Sequence, residues 1–117
     1  MIIDDQASTR KLLSNFLGNY FDVVEFENAK AALTSMQSGK APHLIVADIL
    51  MPEMTGMDLL RSLQEAKNEN QPPVIVLSSV ENSSEKLKCF QLGARDYMVK
   101  PFNPEELRMR ITNLLAN

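Results

Sequence analysis

Short apolar runs alternate with helical patterns along this chain, and four of the five runs stop at a polar residue. The runs cover residues 1–3, 23–27, 44–47, 74–77 and 97–99. Helical patterns lie between and after them, at 8–17, 29–38, 57–66, 83–92 and 104–115. Runs of that kind, alternating with helices, favour βαβ units and a parallel sheet. Open sheets of this type place their ligands just outside the carboxyl ends of the strands. The run ends are therefore where chemistry is expected. They supply Asp4 and Asp5, then Asp48, Ser78 and Lys100. Three carboxylates, one hydroxyl and one ammonium suit a divalent cation and a phosphoryl group.

Local signals agree with the alternation. In the first helical segment Leu12, Leu13, Phe16 and Leu17 are expected on one face, and in the last Leu107, Ile111, Leu114 and Leu115. Asn103-Pro104-Glu105-Glu106 reads as a helix start, with an N-cap, a first-turn proline and two acids at the positive dipole end. Gly93 reads as a helix stop. Residues 67–73 read as a polar loop. The first run is short, because a strand averages about 5–6 residues. It is expected to start abruptly or to lack upstream residues of the natural protein. Asn117 reads either as a true terminus or as the point where a linker was cut.

At 117 residues the chain is expected to be one domain with a real core. A net charge of −3, with both signs mixed along the chain, offers no nucleic-acid or membrane surface. No apolar segment approaches the ~20 residues of a membrane span. The single cysteine, Cys89, cannot form an internal disulfide and fits a reducing cytoplasm. It reads as a buried structural residue on the fourth helix. The seven methionines read as core filler and loop packing. His43, the only histidine, precedes a strand at the end away from Asp48 and is not expected to act as a ligand or catalyst.

Each candidate has a plainer reading beside the chemical one. Adjacent acids such as Asp4 and Asp5 also make solvated turns. Magnesium wants oxygen ligands and keeps several waters, so Asp5 and Asp48 suit direct binding, with Asp4 direct or through water. A carboxylate can accept a phosphoryl group as an aspartyl phosphate. Such transfer depends on positioning and on neutralising the phosphoryl oxygens. Lys100 suits that neutralisation, although most lysines are simply exposed. Ser78 can donate to a phosphoryl oxygen. Ser79, Ser83 and Ser84 read better as helix caps.

The set resembles the receiver domain of two-component response regulators over essentially the whole length. The matching pieces are Ile3-Asp4-Asp5, Asp48-Ile-Leu-Met-Pro52 with Gly56, Leu77-Ser78-Ser79, Gly93-Ala94-Arg95-Asp96-Tyr97 and Lys100-Pro101-Phe102. The resemblance implies a doubly wound, flavodoxin-like fold: a five-stranded parallel sheet of order 2-1-3-4-5 flanked by five helices. It implies that Asp48 is the phosphoacceptor and that Mg2+ is the cofactor. Asp4, Asp5, Asp48 and the backbone carbonyl of Leu50 would be the metal ligands. Ser78 would be the switch hydroxyl, Tyr97 the switch aromatic and Lys100 the phosphate-contacting lysine, followed by a cis Lys100-Pro101 bond. Ser78 stands where Thr is commoner, Ser79 where Ala is commoner, and Thr55 where an acid is common, there as a helix cap. The family also implies partners: a sensor histidine kinase or histidine phosphotransfer protein. The family's DNA-binding winged-helix subclass further suggests a homodimer through the fourth helix, fifth strand and fifth helix, with Lys86, Asp96, Glu106 and Arg110 at positions resembling its ion pairs, although exposed helical charges are usually just solvated.

The leading expectation is a cytoplasmic, phosphorylation-activated switch. It is not an enzyme beyond assisting its own phosphorylation and dephosphorylation. Two alternatives stay open. One is a receiver-like interaction module that is never phosphorylated. The other is a magnesium-dependent aspartyl phosphatase resembling the haloacid dehalogenase family, which needs an acid two residues after the nucleophile, where this chain has Leu50.

Overall fold

The computed structural model describes the chain except residues 52, 67–70, 80 and 117. Ten elements alternate without exception: β1 (Ile2–Ile3), α1 (Ala7–Leu17), β2 (Glu25–Phe26), α2 (Ala29–Gln37), β3 (Ile45–Asp48), α3 (Gly56–Glu65), β4 (Val74–Ser78), α4 (Ser83–Gln91), β5 (Asp96–Val99) and α5 (Pro104–Leu115). The strands form one parallel sheet in the order β2-β1-β3-β4-β5. This is the expected architecture. Pro52 of the third-strand motif and residues 67–70 of the expected polar loop lie outside the described residues.

Both sheet faces are covered, which is why the central strands are apolar throughout rather than alternating. One core gathers Ile3, Ile45, Ala47, Val76 and Tyr97 with Leu59, Leu60 and Leu63 of α3 and Cys89 of α4. The opposite core gathers Ile2, Val46, Ile75, Leu77 and Met98 with Leu13 and Leu17 of α1 and Leu107 and Ile111 of α5. Successive strand residues thus feed opposite cores. Burying an apolar side chain of this size is worth about 1.5–3 kcal/mol. Two such layers fix the sheet that carries the site.

Some expectations need correction. Leu12 is 72% exposed, because the α1 face centres on Leu13 and Leu17. Leu115 is exposed as the last residue of α5, whose buried face runs through Leu107 and Ile111. Met109 is exposed too, while the other six methionines lie in or against the two cores. The α4 N-cap is Asn82, whose side chain accepts from Glu85 N–H, and not one of the neighbouring serines. The other punctuation stands as expected. Thr55 caps α3 in a reciprocal capping box with Asp58. Asn103 caps α5 with Pro104 in the first turn. Gly93 adopts φ +103°, a left-handed conformation that costs glycine little. Cys89 is fully buried.

Candidate functional site

The carboxyl ends of β1, β3, β4 and β5 lie side by side, and the expected residues converge there. The ladder sets Ile3 against Ala47, Asp48 against Leu77, and Ser78 against Val99. Asp48 and Ser78 are therefore the last residues of their strands, and Asp4 and Lys100 each follow directly on one. Carboxylate oxygens of Asp4, Asp5 and Asp48 all lie within 4.8 Å of one another. Asp4 and Asp48 are buried, whereas Asp5 is exposed.

Lys100 reaches across the sheet into this cluster. Its Nζ donates to Asp48 Oδ2 at 2.8 Å and stands 3.7 Å from Asp4 Oδ2. The Lys100-Pro101 bond is cis. Asp48 Oδ1 accepts the N–H of Leu50 at 3.1 Å, which orients the carboxylate. Leu50 itself turns its side chain to solvent. Gly56 is needed beneath this turn: its N–H bonds Ile49 O, and a Cβ there would meet Ile49 Cα at 2.9 Å.

Asp4 is the least comfortable member. It is 1% exposed, its Oδ1 accepts Gln6 N–H at 2.9 Å, and its Oδ2 has no hydrogen-bond donor. Burial pushes its carboxyl above the usual range. The Gln6 bond and Lys100 oppose the rise, and the charges of Asp48 and Asp5 add to it. Three carboxylates and one ammonium leave a net excess of two negative charges. A hard divalent cation bound by oxygens would neutralise that excess and occupy the orphaned Oδ2. The donor set therefore fits magnesium.

Two contributors escaped the sequence reading. Arg10 donates through Nη1 to the Asp4 main-chain carbonyl at 2.8 Å and through Nε to Glu25 Oε1 at 3.2 Å. It thus clamps the end of β1 to β2. Glu85 of α4 points inward. Its Oε2 accepts Ser78 Oγ at 3.1 Å and the Tyr97 hydroxyl at 2.5 Å. Its spacing of four residues from buried Cys89 was the available signal. The Tyr97 ring is itself buried, 5% exposed. Burial first, and then the bond to Glu85, push its phenol up to about 12.

The positions expected at a dimer face are only partly gathered. Arg110 donates to Asp96 at 2.7 Å and to Glu106 at 3.1 Å within the chain. Lys86 is exposed on α4. His43 sits at the amino end of β3, exposed and away from the cluster. No helix among the described residues is long and apolar enough to cross a membrane.

Comparison with known proteins points the same way. The response regulator receiver domain family matches residues 1–112. The chain is 36% identical to histidine kinase P4 of Formosa agariphila, covering all of this chain but 8% of that protein. It is also 36% identical to the probable transcriptional regulator ycf27 of Porphyridium aerugineum, covering 98% of this chain and 47% of that one. The chain thus spans less than half the length of these curated relatives. Among solved structures, the receiver domain of Francisella response regulator 1452 has a TM-score of 0.90 at 27% identity, covering 98% of this chain and 93% of that one. The BeF3-activated DrrB receiver domain has a TM-score of 0.87 at 30% identity, covering 99% and 95%. With a family match over nearly its full length, a solved receiver domain of closely similar fold and acids gathered at the strand ends, the chain belongs to the response regulator receiver domain family.

Proposed function

We propose that residues 1–117 act as one cytoplasmic receiver unit that takes a phosphoryl group from a phosphohistidine onto Asp48. The donor would be a sensor histidine kinase or a histidine phosphotransfer protein. One observation carries the reading most: Lys100 Nζ, 2.8 Å from Asp48, stands beside a buried carboxylate oxygen that lacks a donor. That is an electrophile-binding arrangement, with charge waiting for a counter-charge.

In the transfer, a carboxylate oxygen of Asp48 attacks phosphorus, the donor's N–P bond breaks, and the electron pair returns to the imidazole. Asp4, Asp5, Asp48 and the Leu50 carbonyl would hold Mg2+, which neutralises charge on the phosphoryl oxygens when bound. Lys100 holds Asp48 in place and supplies a second positive charge there. Ser78, next to Asp48 across the β3–β4 ladder, would then donate its hydroxyl to a phosphoryl oxygen. Tyr97, bonded to the same glutamate as Ser78, would carry the change to the α4–β5 surface. The output is a downstream partner or domain controlled by that surface. Catalysis is limited to the domain's own phosphorylation and dephosphorylation. Leu50 stands where a haloacid dehalogenase-like phosphatase would need its acid, which disfavours that alternative.

We further infer a homodimer through α4, β5 and α5. Asp96, Glu106 and Arg110 would exchange their intrachain partners for cross-dimer ones, joined by the exposed Lys86. For the central reading, the test is incubation with acetyl phosphate, with and without Mg2+. Labelling is expected only with the metal and only when Asp48 is present. Equal labelling of Asp48→Asn would overturn the assignment.

A further inference from the structure

Glu85 joins two switch residues through one atom. Its Oε2 accepts both the Ser78 hydroxyl and the Tyr97 hydroxyl, so the end of β4 and the second residue of β5 are tied to the first turn of α4. Ser78 and Tyr97 are buried and Glu85 is half-buried, which strengthens bonds to a charged acceptor. One turn further along α4 lies the buried Cys89, whose thiol is pushed up by burial and then by the Glu85 charge.

A serine hydroxyl has one proton to give. Here Glu85 Oε2 stands within hydrogen-bond reach of that hydroxyl, at 3.1 Å. A phosphoryl oxygen on Asp48, one strand away, would have to draw the hydroxyl away from Glu85. We propose that Glu85 is a positioning residue that competes with the phosphoryl group on Asp48 for the Ser78 hydroxyl. It holds Ser78 and Tyr97 in the unphosphorylated arrangement and so sets how readily the domain switches. When Ser78 turns to the phosphoryl group, Oε2 keeps Tyr97, and α4 is released from β4 while still tied to β5. The inference rests on the reading of Asp48 as phosphoacceptor.

The test is the affinity of the whole chain for beryllofluoride with Mg2+, in wild type, Glu85→Ala and Glu85→Gln. Removing a charged competitor for one hydrogen bond should tighten binding about tenfold in Glu85→Ala. Glu85→Gln keeps an acceptor without the charge and should fall between. In a Ser78→Ala background the gain from Glu85→Ala should vanish. Damage to the fold would weaken binding, so the sign separates competition from a structural role. Shifted NMR resonances of the Tyr97 ring would report that the tie is gone. A wild type that binds, with a Glu85→Ala variant that binds no tighter, overturns the inference alone. A wild type that binds no beryllofluoride overturns the Asp48 reading and the inference with it.

Discussion

Replacing Asp4 by Asn should make the metal-free protein more stable and the metal response weaker. The substitution keeps the shape and removes a buried charge whose Oδ2 has no donor. A buried polar atom without a partner costs about 1–3 kcal/mol. The amide is still buried and polar, so the gain belongs at the low end, about 1 kcal/mol. For a domain of this size that is a rise of roughly 4 °C in Tm. The pH dependence follows from the raised Asp4 carboxyl. A folded state with the higher pKa binds more protons than the unfolded one, so stability falls as pH rises. The penalty is absent below the unfolded carboxyl range, builds through the raised folded value, and is complete above it. Wild type and Asp4→Asn should therefore converge in acid and diverge near neutral pH. Magnesium at about ten times its Kd should stabilise wild type by about 1.4 kcal/mol, or roughly 5 °C. Thermal melts at several pH values, with and without Mg2+, read all of this. A variant less stable than wild type near neutrality without metal, or an equal magnesium gain in both, would mean that the Asp4 charge carries no burial penalty and no metal.

Gly56→Ala should cost about 1–3 kcal/mol by urea unfolding, because the added Cβ collides with backbone at Ile49. Unchanged stability would mean that the turn after β3 has room to relax. Leu107→Ala, at a fully buried position on α5, should cost about 2–5 kcal/mol and leave the acidic cluster intact. Retained Mg2+-dependent labelling under native conditions is the check on that separation. Glu106→Lys should weaken self-association of the beryllofluoride-activated protein in analytical ultracentrifugation, and adding Lys86→Glu should restore part of it. A strictly monomeric activated form would remove the dimer.

The fold was legible because each level of the sequence agreed. Apolar runs marked the strands, and Thr55, Gly93 and Asn103 punctuated the helices as their chemistry dictates. What failed was local. β2 is only Glu25–Phe26, shorter than the apolar run, because it sits at the sheet edge against a two-residue β1. Leu12 looked buried because helical spacing counts residues but does not say where the stripe is centred. The strand-end rule gathered Asp4, Asp5, Asp48, Ser78 and Lys100, since those side chains are placed by the sheet itself. Arg10 and Glu85 lie on helices, and a charged helical residue reads as solvated until packing shows what it faces.

The most direct measurement is the location of the phosphoryl group. After incubation with acetyl phosphate and Mg2+, borohydride reduction converts an aspartyl phosphate to homoserine, which peptide mass spectrometry locates. Homoserine is expected at position 48 alone, and none when magnesium is left out. Modification at Asp4, Asp5 or any other residue in place of Asp48 would contradict the Asp48 assignment.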